Sequence, residues 1–167
     1  MEFPRNQEIW KSVNGNKNYE VSSFGRVRNA KTEKILAQRI NDRDYSMVTL
    51  SKNNKSKHFR VHRLVAEAFI PNPDEKPSVD HIDGNRSNNI WTNLRWATAS
   101  ENGANSKRNA GKELPKGVSL NKSGTYRVKI EKYGKQYHVG CFKTVEEAKN
   151  AYREKAIELH GEFARFD

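Results

Sequence analysis

Cysteine is almost missing from this 167-residue chain, where Cys141 stands alone. A single thiol excludes an intramolecular disulfide and leaves no basis for a cysteine-built zinc site. Long apolar runs are missing too. No stretch approaches the ~20 residues that a bilayer-spanning helix requires, and no basic, then apolar, then small-residue leader marks the N-terminal segment. Apolar residues make up 34% of the chain and charged residues 31%. That is a thin supply for one large core, so several small modules are expected. There is no internal repeat and no low-complexity tract. Positive charge, by contrast, is in excess: the net charge is +11, with no single run of like charges behind it. Such a balance points to a polyanionic partner, either nucleic acid or an acidic membrane surface. A soluble, cytoplasmic protein of a reducing compartment is the expectation.

Patterning divides the chain. Tyr19-Glu20-Val21, then Ser22-Ser23-Phe24-Gly25, then Arg26-Val27-Arg28 reads as strand, turn, strand. Ser46 to Leu50 and His58 to Val61 form a second pair around a polar segment. Val61, Leu64, Val65, Ala68 and Phe69 follow helical spacing, and Pro71 and Pro73 end that helix. A short strand from Pro77 to His81, a polar loop from Ile82 to Trp91 and a strand from Asn93 to Trp96 come next. Thr98-Ala99-Ser100-Glu101 is a capping box that opens another helix and sets Asn102 in its first turns. Residues 103 to 115 lose almost all apolar content and read as a linker. Beyond it, residues 124 to 130 alternate as a strand, Tyr133-Gly134 turns, and residues 136 to 142 form the next strand. Thr144-Val145-Glu146-Glu147 opens a last helix with an apolar stripe of Val145, Ala148, Ala151, Tyr152 and Ala156.

The most specific feature lies in the middle: Asp80-His81-Ile82-Asp83-Gly84-Asn85, then Asn93-Leu94-Arg95-Trp96, then Asn102. Few structural needs place an acid and a histidine side by side before a Gly-Asn turn and return amide side chains at those distances. Metal-assisted phosphodiester chemistry does, because it needs hard oxygen ligands for a divalent cation and a neutral imidazole to take a proton from water.

These residues resemble the HNH nuclease motif in its His-Asn-Asn variant, as found in phage-like homing endonucleases. Glu8-Ile9-Trp10 and Tyr19 to Val27 resemble the nuclease-associated modular domain that precedes such motifs. Gly117-Val118, Gly140-Cys141-Phe142 and Glu146-Glu147-Ala148 resemble the Apetala and ethylene-response-factor type of DNA-binding domain. The resemblance implies an α+β protein of small modules: residues 1–70 the N-terminal modular domain, 71–108 a ββα-metal hairpin and helix, 109–115 a linker, and 116–167 a three-stranded antiparallel sheet packed on one helix. It also implies a hydrolase that cuts site-specific double-stranded DNA with one Mg²⁺ or Mn²⁺. Asp80 and Asn102 would be the metal ligands, His81 the general base, and Asn93 the residue that holds the loop and helps to orient His81. Oxygen ligands with one carboxylate suit a hard cation. No small-molecule cofactor is implied. A single site per chain suits a monomer, with a dimer left open.

Between residues 103 and 138 nine basic residues face two acidic ones. Arg127 and Lys129 alternate with Val128 and Ile130, so they are expected on the sheet face away from the helix, beside Tyr126 and Tyr137. That face is the expected groove-reading surface, while Lys107 and Arg108 follow the DNA backbone. Arg95 either contacts the scissile phosphate or faces solvent. His62 reads as structural or DNA-facing, His138 and His160 as ordinary, Asp83 and Asn85 as loop-shaping, and Cys141 as a packing residue. The alternative to an enzyme is a sequence-specific DNA-binding regulator with an inactive centre. If the gene is phage-borne, the host cytoplasm is the expected location.

Overall fold

The computed structural model describes residues 7–107 and 113–166. The chain divides into two compact units, Met1–Trp96 and Ala97–Asp167. Small sheets and few helices give the expected α+β class. Among the described residues no helix is long and apolar enough to cross a membrane.

In the first unit β1 (Trp10–Val13), β2 (Asn16–Ser22) and β3 (Val27–Asn29) form an antiparallel sheet in that order. Val21 lies opposite Val27 in the register, and both are fully buried. A second antiparallel sheet joins β4 (Arg39–Ile40), β5 (Ser46–Lys52) and β6 (Lys55–Arg60). The polar segment between the last two narrows to a two-residue turn. Asn53 and Asn54 both take positive φ there, at 51° and 59°, a conformation that asparagine tolerates and a tight hairpin requires.

The helix α1 (Val61–Phe69) follows at once and buries Val61, Leu64, Val65, Ala66 and Phe69. Pro71 forces Ile70 out of helical geometry, and Ile70 is extended. A two-stranded sheet of β7 (Ser78–His81) and β8 (Leu94–Ala97) comes next. Residues Trp91–Asn93 form a 3₁₀ turn between them, so Asn93 precedes the strand rather than opening it. One apolar cluster, from Val13, Val21 and Val48 through Leu64 and Val65 to Val79 and Leu94, unites these elements. The segments that the pattern separates at residue 70 therefore share a core.

The second unit opens with α2 (Ala99–Ala104), whose capping box is complete: Glu101 N–H donates to Thr98 Oγ1 at 3.2 Å and Thr98 N–H to Glu101 Oε2 at 2.7 Å. The strands β9 (Val118–Leu120), β10 (Tyr126–Lys132) and β11 (Lys135–Phe142) form an antiparallel sheet with β10 in the centre. The helix α3 (Val145–His160) packs on it through Ala148, Tyr152 and Ala156 against Val128 and Ile130. Gly117 has φ +74°, and a Cβ there would lie 2.3 Å from the Tyr152 ring. Only glycine lets the chain pass that ring.

Candidate active site

Strand β7 ends at the candidate centre. Asp80 and His81 are each only 4% exposed. The loop that follows is folded by its own amides. Asn85 N–H donates to Asp83 Oδ1 at 2.7 Å and Ser87 N–H to Asn85 Oδ1 at 3.1 Å. Asn93 closes it from the far side: its Oδ1 accepts Asp83 N–H at 3.1 Å, and its Nδ2 donates to Asp83 Oδ1 and to the Asn88 carbonyl, both at 2.9 Å. Asn88 Nδ2 donates to Asp83 Oδ2 at 2.8 Å. Burial works to raise the Asp83 pKa, but the donors Asn88, Asn85 and Asn93 outweigh it, and the net shift is downward. Asp83 and Asn85 thus shape the loop, as their sequence context suggests.

The imidazole of His81 is held by a residue that sequence reasoning did not single out. His81 Nε2 lies 3.2 Å from Asn89 Oδ1, and Asn89 is itself buried, with Nδ2 donating to the Ser87 carbonyl at 3.2 Å. Asn93 pins the loop that presents Asn89. The His62 ring stands edge-on to His81 at 5.0 Å between centroids, and Tyr45 lies 4.9 Å from His62 and 6.1 Å from His81. Burial, with His81, Arg60 and Arg63 adding to it, drives the His62 pKa down to about 3. Burial also lowers that of His81, against the Asn89 hydrogen bond and the charges of Asp83 and Asp80. Both rings are neutral at neutral pH, the state in which an imidazole can accept a proton.

Arg95 does not face solvent. Its Nε and Nη2 both lie 2.9 Å from Asp80 Oδ2, with the arginine side chain only 12% exposed. The strand pairing explains this, since β8 sets Arg95 beside the end of β7. Two other guanidinium groups flank the site: Arg60 and Arg86 lie 5.2 and 5.1 Å from the Tyr45 ring centroid. Arg86 Nη1 also donates to the Arg43 carbonyl and Ser87 Oγ to the Asp44 carbonyl, each at 3.2 Å. These bonds seat the 41–45 turn on the loop after His81.

In the second unit Asn102 stands on α2, half-buried. Lys107 is exposed, while Arg108 lies outside the described residues. Arg127 and Lys129 are exposed on β10, as expected. Tyr126 and Tyr137 are not beside them: both pack against the helix-side core. Pleat parity is the reason, because Tyr126 shares its face with Val128 and Ile130, and Tyr137 lies opposite Ile130 in the register. Cys141, expected to pack, is exposed; it lies opposite Arg127 and accepts from Asn121 Nδ2 at 3.5 Å.

Asp80 offers a carboxylate, a donor of the kind a hard divalent cation takes, with Oδ2 held by Arg95. The described residues contain no cluster of three or more His, Cys, Asp or Glu side chains that could hold a metal ion.

Residues 59–104 match the HNH endonuclease family model, and residues 8–51 match the NUMOD4 motif. The chain is 44% identical over 94 residues to the DNA endonuclease I-HmuI of Bacillus phage SP01, covering 56% of this chain and 54% of that protein. It is 38% identical over 100 residues to the uncharacterized HNH endonuclease L245 of Acanthamoeba polyphaga mimivirus, covering 60% and 30%. A solved structure of I-HmuI, described as showing DNA binding and cleavage by that HNH homing endonuclease, superposes with a TM-score of 0.55 at 27% identity over 91% of each chain. The chain spans about a quarter to a half of the length of the first curated relatives that it matches. With the HNH segment centred on Asp80 and His81 and the NUMOD4 segment ahead of it, the chain belongs to the HNH endonuclease family.

Proposed function

We propose that this protein is a metal-dependent endonuclease of the homing type that hydrolyses a phosphodiester bond in site-specific double-stranded DNA. One observation carries the reading: a neutral, buried histidine beside a buried carboxylate, at the end of a strand whose following loop is pinned by an asparagine. His81 takes a proton from water as that water attacks phosphorus. Asp80 would hold the cation through its carboxylate, which Arg95 orients through Oδ2. The family resemblance adds the Asn102 amide oxygen as a second ligand. When bound, a Mg²⁺ or Mn²⁺ ion supplies positive charge to the phosphate and to the departing 3′ oxygen. Asn93 keeps the loop closed, so that no rearrangement is required before proton transfer.

The remaining basic groups bind the duplex. Arg60 and Arg86, held over Tyr45 and without an acidic partner among the described residues, suit phosphate contact at the rim. Residues 116–167 act as an Apetala-type DNA-binding domain, with Arg127 and Lys129 as the groove-facing pair. Lys107 and Arg108 follow the backbone. A single candidate site per chain suits action as a monomer, with a dimer left open.

Incubation of supercoiled plasmid carrying randomised inserts with the protein and Mg²⁺ tests the reading. Nicked circles that form with Mg²⁺ and disappear with chelator are the expected result. Intact plasmid under both conditions, together with retained duplex binding, would instead identify a DNA-binding regulator.

A further inference from the structure

A hydrogen bond to the His81 ring comes from Asn89, which is neither of the two asparagines of the family motif, and Asn89 rests on the first module. Asn89 Nδ2 is committed to the Ser87 carbonyl at 3.2 Å, which turns Oδ1 toward His81 Nε2, also at 3.2 Å. An amide oxygen has no hydrogen to give, so His81 Nε2 must carry the proton and the lone pair must sit on Nδ1. Both side chains are at least nine-tenths buried, at 4% and 5% exposure.

The place of Asn89 is set by the turn Ser22-Ser23-Phe24-Gly25 between β2 and β3. Gly25 has φ +82°, and a Cβ there would lie 2.7 Å from Asn89 Cβ and 3.1 Å from its carbonyl oxygen. The glycine backbone is therefore in direct contact with Asn89, with no room for even a methyl group. The turn itself is tied by hydrogen bonds to its own flanks, to Ile9 and to Gln38. Ser22 Oγ accepts from Arg26 N–H at 2.9 Å, Gln38 Nε2 donates to the Gly25 carbonyl at 2.7 Å, and Ser23 N–H donates to the Ile9 carbonyl at 2.8 Å. Ser22 and Ser23 are fully buried. Two residues past Asn89, Trp91 N–H donates to the Ser23 carbonyl at 2.9 Å. The turn thus meets the loop at Asn89 and again two residues beyond it.

We propose that Asn89 is the positioning residue of His81, and that the Ser22–Gly25 turn of the NUMOD4 segment holds it there. The first module is then a structural part of the cutting centre as well as a neighbour of it. The inference rests on the endonuclease reading for its effect on rate, but its structural part stands apart from that reading.

The test uses the full chain with ¹⁵N-labelled histidine. In the metal-free parent, the His81 Nε2–H proton should be visible and protected from exchange. Asn89→Asp keeps an oxygen acceptor and should keep the signal, while Asn89→Ala should lose it. Gly25→Ala, which touches no atom of His81, should weaken it as well. Single-turnover nicking by Asn89→Ala should fall about 10- to 100-fold, the usual cost of losing an orienting partner, while duplex affinity stays within about twofold. A protected Nε2–H signal in folded Asn89→Ala would overturn the inference, and so would a nicking loss matched by an equal loss of binding. If the parent protein failed to nick DNA while its Nε2–H signal still followed Asn89, the inference would hold and the endonuclease reading would fall.

Discussion

The two units bury different kinds of side chain. Among the described residues the first unit buries Asn16, Ser22, Ser23, Ser46, His62, Asp80, His81 and Asn89 beside its valines, whereas the second buries only Asn105. Its core of Val128, Ile130, Ala148, Tyr152, Ala156 and Phe163 is otherwise apolar. Burying polar groups is unfavourable unless each finds a partner. The first unit meets that condition at Asn16, Ser22, Asp80, His81 and Asn89 through hydrogen bonds that hold an imidazole and a carboxylate in place, while the buried His62 Nδ1 has no partner among the described residues. The second unit places its polar groups outside, as the basic face of β10. The proposed general base therefore lies in the first unit, and the exposed Arg127 and Lys129 in the second.

This contrast can be broken at several points. The largest effect is expected at Asp80. Asp80→Asn keeps the shape but removes the carboxylate charge, and the loss of several kcal/mol of cation-assisted stabilisation should slow nicking by about 10³-fold or more. Plasmid nicking at fixed Mg²⁺ measures it, and near-parental rates would remove Asp80 from the ligand set. Next, Leu64→Ala opens a cavity in the shared core of the first unit, where Leu64 is 4% exposed. A cost of about 2–5 kcal/mol is expected in urea unfolding. An effect below about 1 kcal/mol would show that the core is looser than its burial indicates.

The smallest effect concerns pH. The pKa of His62 falls from 6.5 to about 3 in the folded chain, through burial first and then the charges of His81, Arg60 and Arg63. The unfolded chain therefore takes up a proton before the folded one does. The stability that His62 contributes is present above pH 6.5 and declines as the pH falls from there toward 3. His62→Gln should flatten the pH dependence of the melting temperature over that window, leaving the slopes from His81 and His160, whose pKa values burial also lowers. An unchanged slope would mean that His62 is solvated.

Much of the fold was legible in the sequence because the signals there are local. The spacing of Val61, Leu64, Val65 and Phe69, the two Thr-x-x-Glu capping boxes and the Tyr133-Gly134 turn each depend on a few neighbouring residues. Asp80, His81 and Asn93 were legible as well, because their spacing is fixed within one hairpin. Asn89, Tyr45 and His62 were not. They meet His81 only through the packing of the 41–45 turn, the start of α1 and the Gly25 turn, which are far apart in sequence. One error was avoidable: the alternation that faces Val128 inward also faces Tyr126 inward, and the sheet follows it.

The central claim is that His81 removes a proton from water during cleavage and has no part in holding DNA. Cleavage and equilibrium binding of one duplex by the parent protein and by His81→Ala test it most directly. The expected result is a loss of cleavage of at least about 10²-fold with a Kd that barely changes. Cleavage near the parental rate, or a loss of binding in step with activity, would contradict it.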